Sequence, residues 1–303
     1  MSYGKYLVTA AVMIATFAIL SCNSNETDNS KNDKTDSMDT VKTKISDRIN
    51  GLAGSIYIDD GGNGGLPVLF LHSFGGSSTN WKEQLNELRK TRRVIAIDFR
   101  GHGKSDIPAD NDYSPESLAN DVSVVADSLA LGKFVLIGHS MGGSAAIAYA
   151  GEYPHRVAGL VMVGTPGKMP EEMSKPIIAS LEADTYQKVM DDYMKKLFTN
   201  ARPETQNEIS AEMKDNSKEK NLSIIKSAFQ FDPLPSLKKY DGPKLIISAT
   251  AEQNPNSLAS QNSKVPNKII DGTSHWVHMD KPAEFNTILK SFLDTVESKS
   301  VKK

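Results

Sequence analysis

The sequence predicts an α/β protein in which a doubly wound, mostly parallel sheet carries a helical cap as an insertion. Short apolar runs typical of buried strands alternate with stretches of helical periodicity over most of the chain. This alternation is the pattern of a parallel sheet covered by helices on both faces. It stops between Thr165 and Leu237, where apolar residues recur only at helical spacing. That stretch predicts a cap, about residues 166–236, over the carboxyl ends of the strands.

Seven segments have the composition of strands. The first alternates polar and apolar residues, as in a strand with one face in water, and the others are mostly continuous apolar runs. In chain order they are residues 55–59, 66–71, 93–98, 134–137, 159–164, 244–249 and 268–271.

Apolar residues at three- and four-residue spacing predict the helices between these strands. Body helices are expected around residues 81–88, 118–129 and 285–293. In the cap, Asp184 to Gln187 has the spacing of a capping box, which predicts a helix start there. Two further cap helices are expected, one after Pro203 and one over about residues 219–229.

Composition excludes several classes of function. A formal net charge of −2 over 303 residues offers no basic face for nucleic acid. The single cysteine, Cys22, excludes an internal disulfide framework. No group of His, Asp and Glu has the spacing of metal ligands, so we expect no metal.

The first residues have the pattern of an export signal. Lys5 precedes an apolar run over residues 6–20, which is shorter than the about 20 residues that a membrane-spanning helix needs. The run therefore fits a secretory signal, and the alternatives to a lipoprotein signal are an uncleaved anchor or a plain secretory signal. Its end, Ile19-Leu20-Ser21-Cys22, resembles the lipobox of bacterial lipoproteins. The resemblance implies that Cys22 is lipidated and becomes the mature N-terminus, so that the lipid anchors the protein to a membrane.

The resemblance also implies a location and a domain plan. Asn23 follows the cysteine, and the lack of Asp there favours the outer membrane of a Gram-negative bacterium. The polar composition after it predicts a disordered tether. The expected plan is a signal peptide at 1–21, a tether at 22–50, a folded domain at 51–296 and a charged tail at 297–303.

The stretch around Ser140 organises the chemistry. Gly138-His139-Ser140-Met141-Gly142 has the G-x-S-x-G pattern and lies between an apolar strand and a helix of small residues. A serine on such a sharp turn needs neighbours without side chains, and its hydroxyl is lifted clear of the sheet. Backbone N–H groups at the start of the helix then point toward whatever the serine attacks. An ordinary glycine-rich turn is the alternative for this stretch alone.

Four motifs in order resemble the α/β-hydrolase fold family over about residues 51–293. They are His72-Ser-Phe-Gly-Gly76, Asp98-x-Arg-Gly-His-Gly-x-Ser105, Gly138-His-Ser-Met-Gly-Gly143, and Ser274-His275 before Pro282. The resemblance implies that Ser140 is the nucleophile and His275 the base.

The chain departs from the family pattern at two positions. The acid after the penultimate strand is usually Asp in a Gly-x-x-Asp loop, but Ala249-Thr-Ala-Glu252 stands there, so Glu252 is the expected acid. Asp232 and Glu171 are possible substitutes. The first oxyanion motif is usually His-Gly-x, whereas here Ser73 replaces the glycine. The aligned amide donors are those of Phe74 and Met141.

Five other histidines test this assignment. His278 lies in the same loop as His275 and is the alternative base. His139 flanks the nucleophile and is expected to support the pocket. His72 and His102 lie at strand ends, where structural hydrogen bonding is expected, and His155 is expected at the surface. The cap methionines at 169, 173, 190 and 194 are candidates for an adaptable pocket lining, with packing onto the body as the alternative.

The chemistry of this set favours acyl transfer. A serine hydroxyl needs a neighbouring base with a suitable pKa, and a carboxylate orients and stabilises the histidine that serves as that base. We therefore predict a cofactor-independent serine hydrolase, most readily a carboxylic ester hydrolase for a small apolar ester. Haloalkane dehalogenases and epoxide hydrolases of this fold have Asp at the position of Ser140, on the sharp strand-to-helix turn called the nucleophile elbow. Ser140 therefore argues against both.

Other functions remain as alternatives. A carbon–carbon bond hydrolase resembles the chain at Ser140-Met-Gly-Gly143 and His275-Trp276, although only Lys168 offers the basic residue expected near the cap. Lactonases and perhydrolases share the motifs. From a different class, a non-catalytic surface lipoprotein would bind a ligand on a hydrolase scaffold.

Overall fold

The structure, a computed structural model, describes residues 47–300. The predicted signal peptide, the predicted lipidation site Cys22, most of the predicted tether and residues 301–303 lie outside the described residues. Among residues 47–300, no helix combines the length and the apolar character that crossing a membrane requires.

Eight strands form one sheet in the order β1-β2-β4-β3-β5-β6-β7-β8. From β4 onward the neighbours pair in parallel, whereas β2 pairs antiparallel with both β1 and β4. The doubly wound, mostly parallel sheet is therefore confirmed. The strands are β1 Arg48–Gly51, β2 Gly54–Gly61, β3 Val68–Leu71, β4 Val94–Ile97, β5 Phe134–His139, β6 Val157–Val163, β7 Lys244–Ala249 and β8 Asn267–Ile270.

The sheet begins earlier than the sequence indicates. Three of the four residues of strand β1 lie inside the stretch that was predicted as tether, and its Arg48 pairs with Tyr57 of β2. Only Ile49 of its four residues is buried. A strand this short with one apolar contact has no periodicity for a sequence pattern to reveal.

Alternate side chains of the strands enter two cores, one on each face of the sheet. Leu69 and Leu71 pack with α2 and α3, while Val68 and Phe70 pack with α1 and α11. The body helices are α1 Lys82–Leu88, α2 Pro115–Ser128, α3 Met141–Glu152, α8 Pro233–Lys239, α9 Leu258–Gln261, α10 Val277–Asp280 and α11 Pro282–Ser300. Helix α11 continues into the stretch that was predicted as a tail.

Four helices between β6 and α8 form the cap. They are α4 Glu171–Glu182, α5 Tyr186–Leu197, α6 Pro203–Met213 and α7 Lys218–Gln230. Leu237 of α8, just beyond the predicted cap limit of about residue 236, packs into the body core beside α3. Helix α4 was not predicted, because Pro176 lies in its interior and disfavours a helix in sequence-based prediction.

The predicted capping box at Asp184 is wrong in detail. Helix α5 does begin at Tyr186, but its N-cap residue is Thr185, whose side chain makes no capping bond. The Thr185 hydroxyl instead donates to the backbone oxygen of Ser180 at 2.6 Å. The tight α4–α5 turn therefore uses the hydroxyl to satisfy the end of α4.

Candidate active site

Ser140 lies on the sharp turn between β5 and α3. Its backbone has φ 52° and ψ −111°, a conformation that non-glycine residues rarely adopt. The Ser140 N–H donates to Val163 O at 2.8 Å, which ties the turn to β6. A methyl group on Gly142 would lie 2.5 Å from His72 O, so the glycine lets α3 approach the end of β3.

Glu252 and His275 meet beside this turn. His275 Nδ1 lies 2.5 Å from Glu252 Oε1, and the other carboxylate oxygen, Oε2, accepts from the backbone N–H of Ala249 at 2.8 Å. A short 3₁₀ turn over Thr250–Glu252 folds the longer glutamate back toward the end of β7. Both side chains are largely buried, with 9% of His275 and 19% of Glu252 exposed.

The three predicted residues follow the carboxyl ends of β5, β7 and β8, and they line a common cavity. In the described structure the side chains of Ser140 and His275 share this cavity without a hydrogen bond between them. Such bonds are often long in free enzymes and tighten when substrate binds.

The two substitute acids lie elsewhere. Glu171 pairs with Lys175 at 2.7 Å on the exposed face of α4. Asp232 pairs with Lys168 at 3.2 Å, and its side chain accepts from Leu234 N at the start of α8. Within residues 47–300, Glu252 is the carboxylate bonded to His275.

The predicted oxyanion residues flank Ser140 from two elements. Phe74 follows β3, and Met141 is the first residue of α3. In the part of the chain that the structure describes, neither amide N–H has a protein acceptor, as expected for the first turn of a helix and for a donor left open to a ligand. Both side chains line the same apolar cavity as Ser140.

Buried histidines hold the loops around the site. His139 Nε2 donates to the backbone oxygen of His275 at 2.9 Å. Burial, followed by the charge on His275, lowers the pKa of His139 well below its usual value, so this ring is a neutral donor. His139 therefore supports the site through this hydrogen bond to the backbone of His275.

His72 links the loop after β3, which carries the predicted oxyanion donor Phe74, to the end of β4. Its Nδ1–H donates to Ser73 O at 2.7 Å, and its Nε2 accepts from Phe99 N at 2.9 Å. Burial lowers its pKa to about 4, which keeps the ring neutral. His102 Nδ1–H likewise donates to Arg100 O at 2.9 Å, and the expected structural roles of both residues are confirmed.

The alternative base, His278, is enclosed in the core. Its ring stacks on Trp81 with centroids 4.0 Å apart, and both ring nitrogens are buried without a partner among residues 47–300. Burial lowers its pKa to about 3. His278 lines neither cavity at Ser140, and His155 is exposed as expected.

The loop that carries His275 is held by contacts that the sequence did not reveal. The His275 N–H donates to the backbone oxygen of Leu197, the last residue of cap helix α5, at 3.1 Å. Asp280 accepts from Ser274 N at 2.8 Å and from Arg202 N at 3.1 Å. The cap therefore takes part in positioning the histidine.

Two cavities meet at Ser140. The apolar cavity, of about 240 Å³, lies under the cap and is lined by Phe74, Met141, Met190 and Ile225, among others. The second cavity, of about 290 Å³, is more open, and most of its lining surface is also apolar. We call it the polar cavity because its walls carry charged and polar side chains, among them His275, Glu252, Asn254, Asn256 and Lys196.

The methionine expectation is confirmed in part. Met169 and Met190 line the apolar cavity. Met194 packs with Trp276 and Phe198, and Met173 is 47% exposed. Tyr193 of α5 lines both cavities, a role that its position on the apolar helix face did not distinguish from packing.

The family model for the α/β-hydrolase fold matches residues 67–282. The chain belongs to the α/β-hydrolase fold family. The match spans the elbow, the cap and the histidine loop, which are the elements that form the two cavities.

Individual relatives have different activities. The chain is 28% identical over 261 residues to a zebrafish protein named as an sn-1-specific diacylglycerol lipase, covering 77% of this chain and 80% of that one. It is 38% identical over 122 residues to a 2-hydroxymuconate semialdehyde hydrolase of a Pseudomonas strain, covering 39% of this chain and 41% of that one.

A solved esterase from Thermogutta terrifontis has the same fold. It superposes with a TM-score of 0.66 at 24% identity over 82% of this chain and 98% of the esterase. The esterase shows the fold alone, whereas the family match and the curated relatives support an enzyme of the hydrolase class.

In this member of the hydrolase-fold family, a glycine beneath the acid–histidine pair is a further requirement. Gly164 follows β6 with φ 51°, and a methyl group on it would lie 2.8 Å from Glu252 Oε1 and 3.1 Å from His275 Nδ1. In the sequence, the feature that could have indicated this role of Gly164 was a glycine at the end of an apolar strand.

Among the described residues, no group of three or more His, Cys, Asp or Glu side chains is arranged to hold a metal ion.

Proposed function

We propose that the protein is a serine hydrolase that cleaves a carboxylic ester through an acyl-enzyme on Ser140. The observation that carries this proposal is the 2.5 Å contact between Glu252 and His275 in a cavity that Ser140 also lines. The nucleophile, base and acid all come from the chain, so the proposal requires no metal ion or cofactor.

The steps follow from these positions. His275 Nε2 accepts the Ser140 proton as Oγ forms a bond to the ester carbonyl carbon, and Glu252 stabilises the imidazolium through Nδ1–H. The amides of Phe74 and Met141 donate to the oxyanion, each such donor typically contributing about 10²–10³ in rate. The imidazolium then protonates the departing alcohol. Water repeats the sequence on the acyl-enzyme, releasing the acid and restoring Ser140.

The two cavities fit the two limbs of an ester. The departing alcohol must lie within reach of His275, so the alcohol limb belongs in the polar cavity. The acyl limb then belongs in the apolar cavity of about 240 Å³. Because this cavity is small and enclosed by apolar side chains, we expect a preference for acyl chains of short to medium length, about four to eight carbons.

Hydrolysis of a p-nitrophenyl ester series from acetate to decanoate tests this function. We expect wild-type protein to turn over the series with an optimum at medium length, and Ser140→Ala to lose at least about 10³-fold in kcat. Serine-dependent turnover with no length preference would contradict the assignment of the acyl limb to the apolar cavity. Equal activity of wild type and Ser140→Ala would contradict the assignment of Ser140 as the nucleophile.

A second candidate reaction is carbon–carbon bond hydrolysis. It is favoured by the relative named 2-hydroxymuconate semialdehyde hydrolase and by Lys196, a cation that lines the polar cavity. Lys168, the basic residue expected from the sequence, pairs with Asp232 and lines neither cavity at Ser140. Turnover of a vinylogous diketone acid faster than of any ester would favour this reaction over the first.

We further propose that the protein acts at the cell envelope, anchored by lipid on Cys22 in the outer membrane. The support is the lipobox-like sequence before Cys22 and the absence of Asp at position 23. Several acyl chains together give stable anchoring, whereas one alone binds only marginally. Labelled palmitate should enter wild-type protein in bacterial cells and not Cys22→Ser. Incorporation into both proteins would contradict the anchor site.

A further inference from the structure

The predicted oxyanion donor Phe74 lies on a short turn after β3, residues 73–76, which we call the oxyanion turn. The Gly76 N–H closes it by donating to Ser73 O at 3.1 Å. Gly75 has φ 68°, a left-handed conformation that glycine adopts without strain. The Phe74 N–H takes no part in closing the turn. Its direction therefore depends on how the turn as a whole is held.

The end of cap helix α6 packs against the oxyanion turn. A methyl group on Gly75 would lie 2.4 Å from Met213 Cγ, so the last residue of α6 leaves room for a hydrogen only. The side chains of Met213 and Phe74 also pack against the same apolar cluster, which is formed by buried cap residues. The cap therefore contacts the turn at two of its four residues.

Glu212 of α6 fixes the chain where it leaves the oxyanion turn. Its Oε1 accepts from Ser77 Oγ at 2.5 Å and from Thr79 Oγ1 at 3.0 Å, and its Oε2 accepts from Asn80 Nδ2 at 2.8 Å. Ser77 directly follows the turn, and its own N–H donates to Asn80 Oδ1 at 3.1 Å. One carboxylate of the cap thus joins three side chains of the body through charge-assisted hydrogen bonds, which are stronger than neutral ones.

The other end of the oxyanion turn is held by His72 of the body. This ring bonds Ser73 O and the Phe99 amide, so it fixes the turn where the chain enters it. The turn is therefore held by the body at one end and by Glu212 of the cap at the other. A donor held in this way is preorganised, and preorganised donors are those that contribute most to stabilising an oxyanion.

Glu212 acts at a distance from the reacting atoms. It lines neither cavity at Ser140, so it does not contact the ester. Its chemistry suits a clamp, because an ionised carboxylate only accepts hydrogen bonds and can satisfy three donors at once. Glutamine at the same position would bring an N–H group against the Asn80 amide nitrogen.

We propose that Glu212 is a positioning residue, through which the docked cap holds the Phe74 amide where the oxyanion forms. The inference rests on the ester reaction proposed above. The cap also holds the base, because the His275 N–H donates to Leu197 O of α5. The cap therefore contributes to the chemical step as well as to the shape of the acyl cavity.

Steady-state kinetics with p-nitrophenyl hexanoate tests this role. In Glu212→Ala we expect kcat to fall about tenfold to a hundredfold with KM within about threefold, because the released turn misplaces a donor that acts in the transition state. Loss of the whole donor would cost about 10²–10³. A kcat equal to that of wild type would overturn the proposal.

Glu208→Ala is the matched control. Glu208 lies one turn earlier on α6, pairs with Lys82 at 2.8 Å and approaches Asn80 Nδ2 only to 3.4 Å. Its removal breaks a contact between cap and body without releasing Ser77, so kcat should stay within about threefold of wild type. An equal loss of kcat in Glu208→Ala and Glu212→Ala would overturn the proposal in favour of general loosening of the cap.

A ketone inhibitor reports on the oxyanion donors directly. Ser140 Oγ adds to the carbonyl carbon of 1,1,1-trifluoro-2-octanone, its proton passes to His275, and the carbonyl oxygen becomes an oxyanion. Glu212→Ala should bind this ketone more weakly by about the factor lost in kcat/KM. The matching alcohol, 1,1,1-trifluoro-2-octanol, forms no adduct and should bind both proteins equally. Unchanged ketone affinity together with a reduced kcat would contradict the assignment to the oxyanion donor.

Should Glu212→Ala fail to fold, Ser77→Ala removes the closest donor from the body side. It should lower kcat about threefold or more with KM unchanged, and an unchanged kcat would contradict the proposal. Wild type and Ser140→Ala are measured with the same ester. A wild type without turnover would overturn the ester function and this inference with it, whereas Ser140-dependent turnover that is unchanged in Ser77→Ala overturns this inference alone.

Discussion

At the scale of single residues, the account depends on Glu252 as the partner of His275. Its Oε1 lies 2.5 Å from His275 Nδ1, and its other oxygen is held by the Ala249 amide. Glu252→Gln removes the charge that orients and stabilises the imidazolium. We expect kcat for a medium-chain ester to fall by about 10³–10⁴ with KM nearly unchanged.

The substitute acids provide matched controls for this variant. Asp232→Asn and Glu171→Gln remove carboxylates that pair with Lys168 and Lys175, away from the histidine. Both should keep kcat within about threefold of wild type. A large loss of kcat in either control, together with a small loss in Glu252→Gln, would show that Glu252 is not the acid that partners His275.

The position of Gly164 leaves no room for a side chain beside the acid–histidine pair. An alanine methyl there would lie 2.8 Å from Glu252 Oε1, at a φ of 51° that also disfavours a side chain. Gly164→Ala should therefore lower kcat at least about tenfold by displacing the acid–histidine pair. Gly132→Ala adds its methyl group where nothing lies within 4 Å and should leave kcat unchanged. Steady-state kinetics on the two variants is the comparison, and equal rates would contradict the contact.

We expect burial of His278 to account for part of the decrease in the unfolding free energy at acid pH. Burial lowers its pKa from 6.5 to about 3, so the unfolded chain takes up this proton first as the pH falls. Its contribution to stability is present above about pH 6.5 and is lost toward pH 3. His278→Phe keeps a ring against Trp81 and should flatten the dependence of the unfolding free energy on pH between 6 and 4 by up to about 1.4 kcal/mol per pH unit.

Denaturant unfolding at several pH values measures this slope. His155→Gln, at an exposed histidine, is the control and should keep the wild-type slope. A His278→Phe slope equal to that of wild type would show that the buried ring does not resist protonation.

Sequence patterns predicted Ser140, His275 and Glu252 because each follows a strand at a position where the family resemblance supplies an expectation. They did not predict Gly164 or the contact between His275 N and Leu197 O. Both depend on how close two distant segments come, and spacing within one segment carries no information about that distance.

At the scale of elements, the cap helices determine the shape of the apolar cavity. Met190 of α5 lines it and is 6% exposed, whereas Met173 of α4 is 47% exposed. Met190→Trp should fill part of the cavity, shorten the preferred acyl chain by about two carbons or more and lower kcat/KM for the longest good ester at least about tenfold.

Met173→Trp is the matched control, since it makes the same change on the cap surface. It should keep the wild-type chain-length profile in the p-nitrophenyl series. An unchanged profile in Met190→Trp would mean that the acyl limb does not enter the apolar cavity.

The elements differ in how far they could be predicted. The buried strands β3 to β7 are apolar runs of four or more residues, and their position followed directly from composition. Strand β1 has one buried residue, and α4 contains Pro176. Tertiary pairing and packing decide both, so local pattern could not.

At the scale of the whole molecule, the doubly wound sheet brings the ends of β5, β7 and β8 to one edge and places the cap above them. The order of the strands makes β5 and β7 neighbours of β6, whose following glycine lies under the acid–histidine pair. This arrangement brings residues 140, 252 and 275 to one cavity although more than a hundred positions separate the first from the second. The topology itself was predictable from alternation, whereas the two-cavity shape required the packed cap.

The central claim is that Ser140 is an activated nucleophile. Its most direct test is reaction of the full-length protein with a fluorophosphonate, followed by mass spectrometry of the intact protein and its peptides. We predict one phosphonyl adduct on the peptide that contains Ser140, no adduct on Ser140→Ala, and labelling at least about tenfold slower in Glu252→Gln. Folded wild-type protein that takes up no adduct, or an adduct that persists in Ser140→Ala, would contradict the account and favour a ligand-binding role for this hydrolase fold.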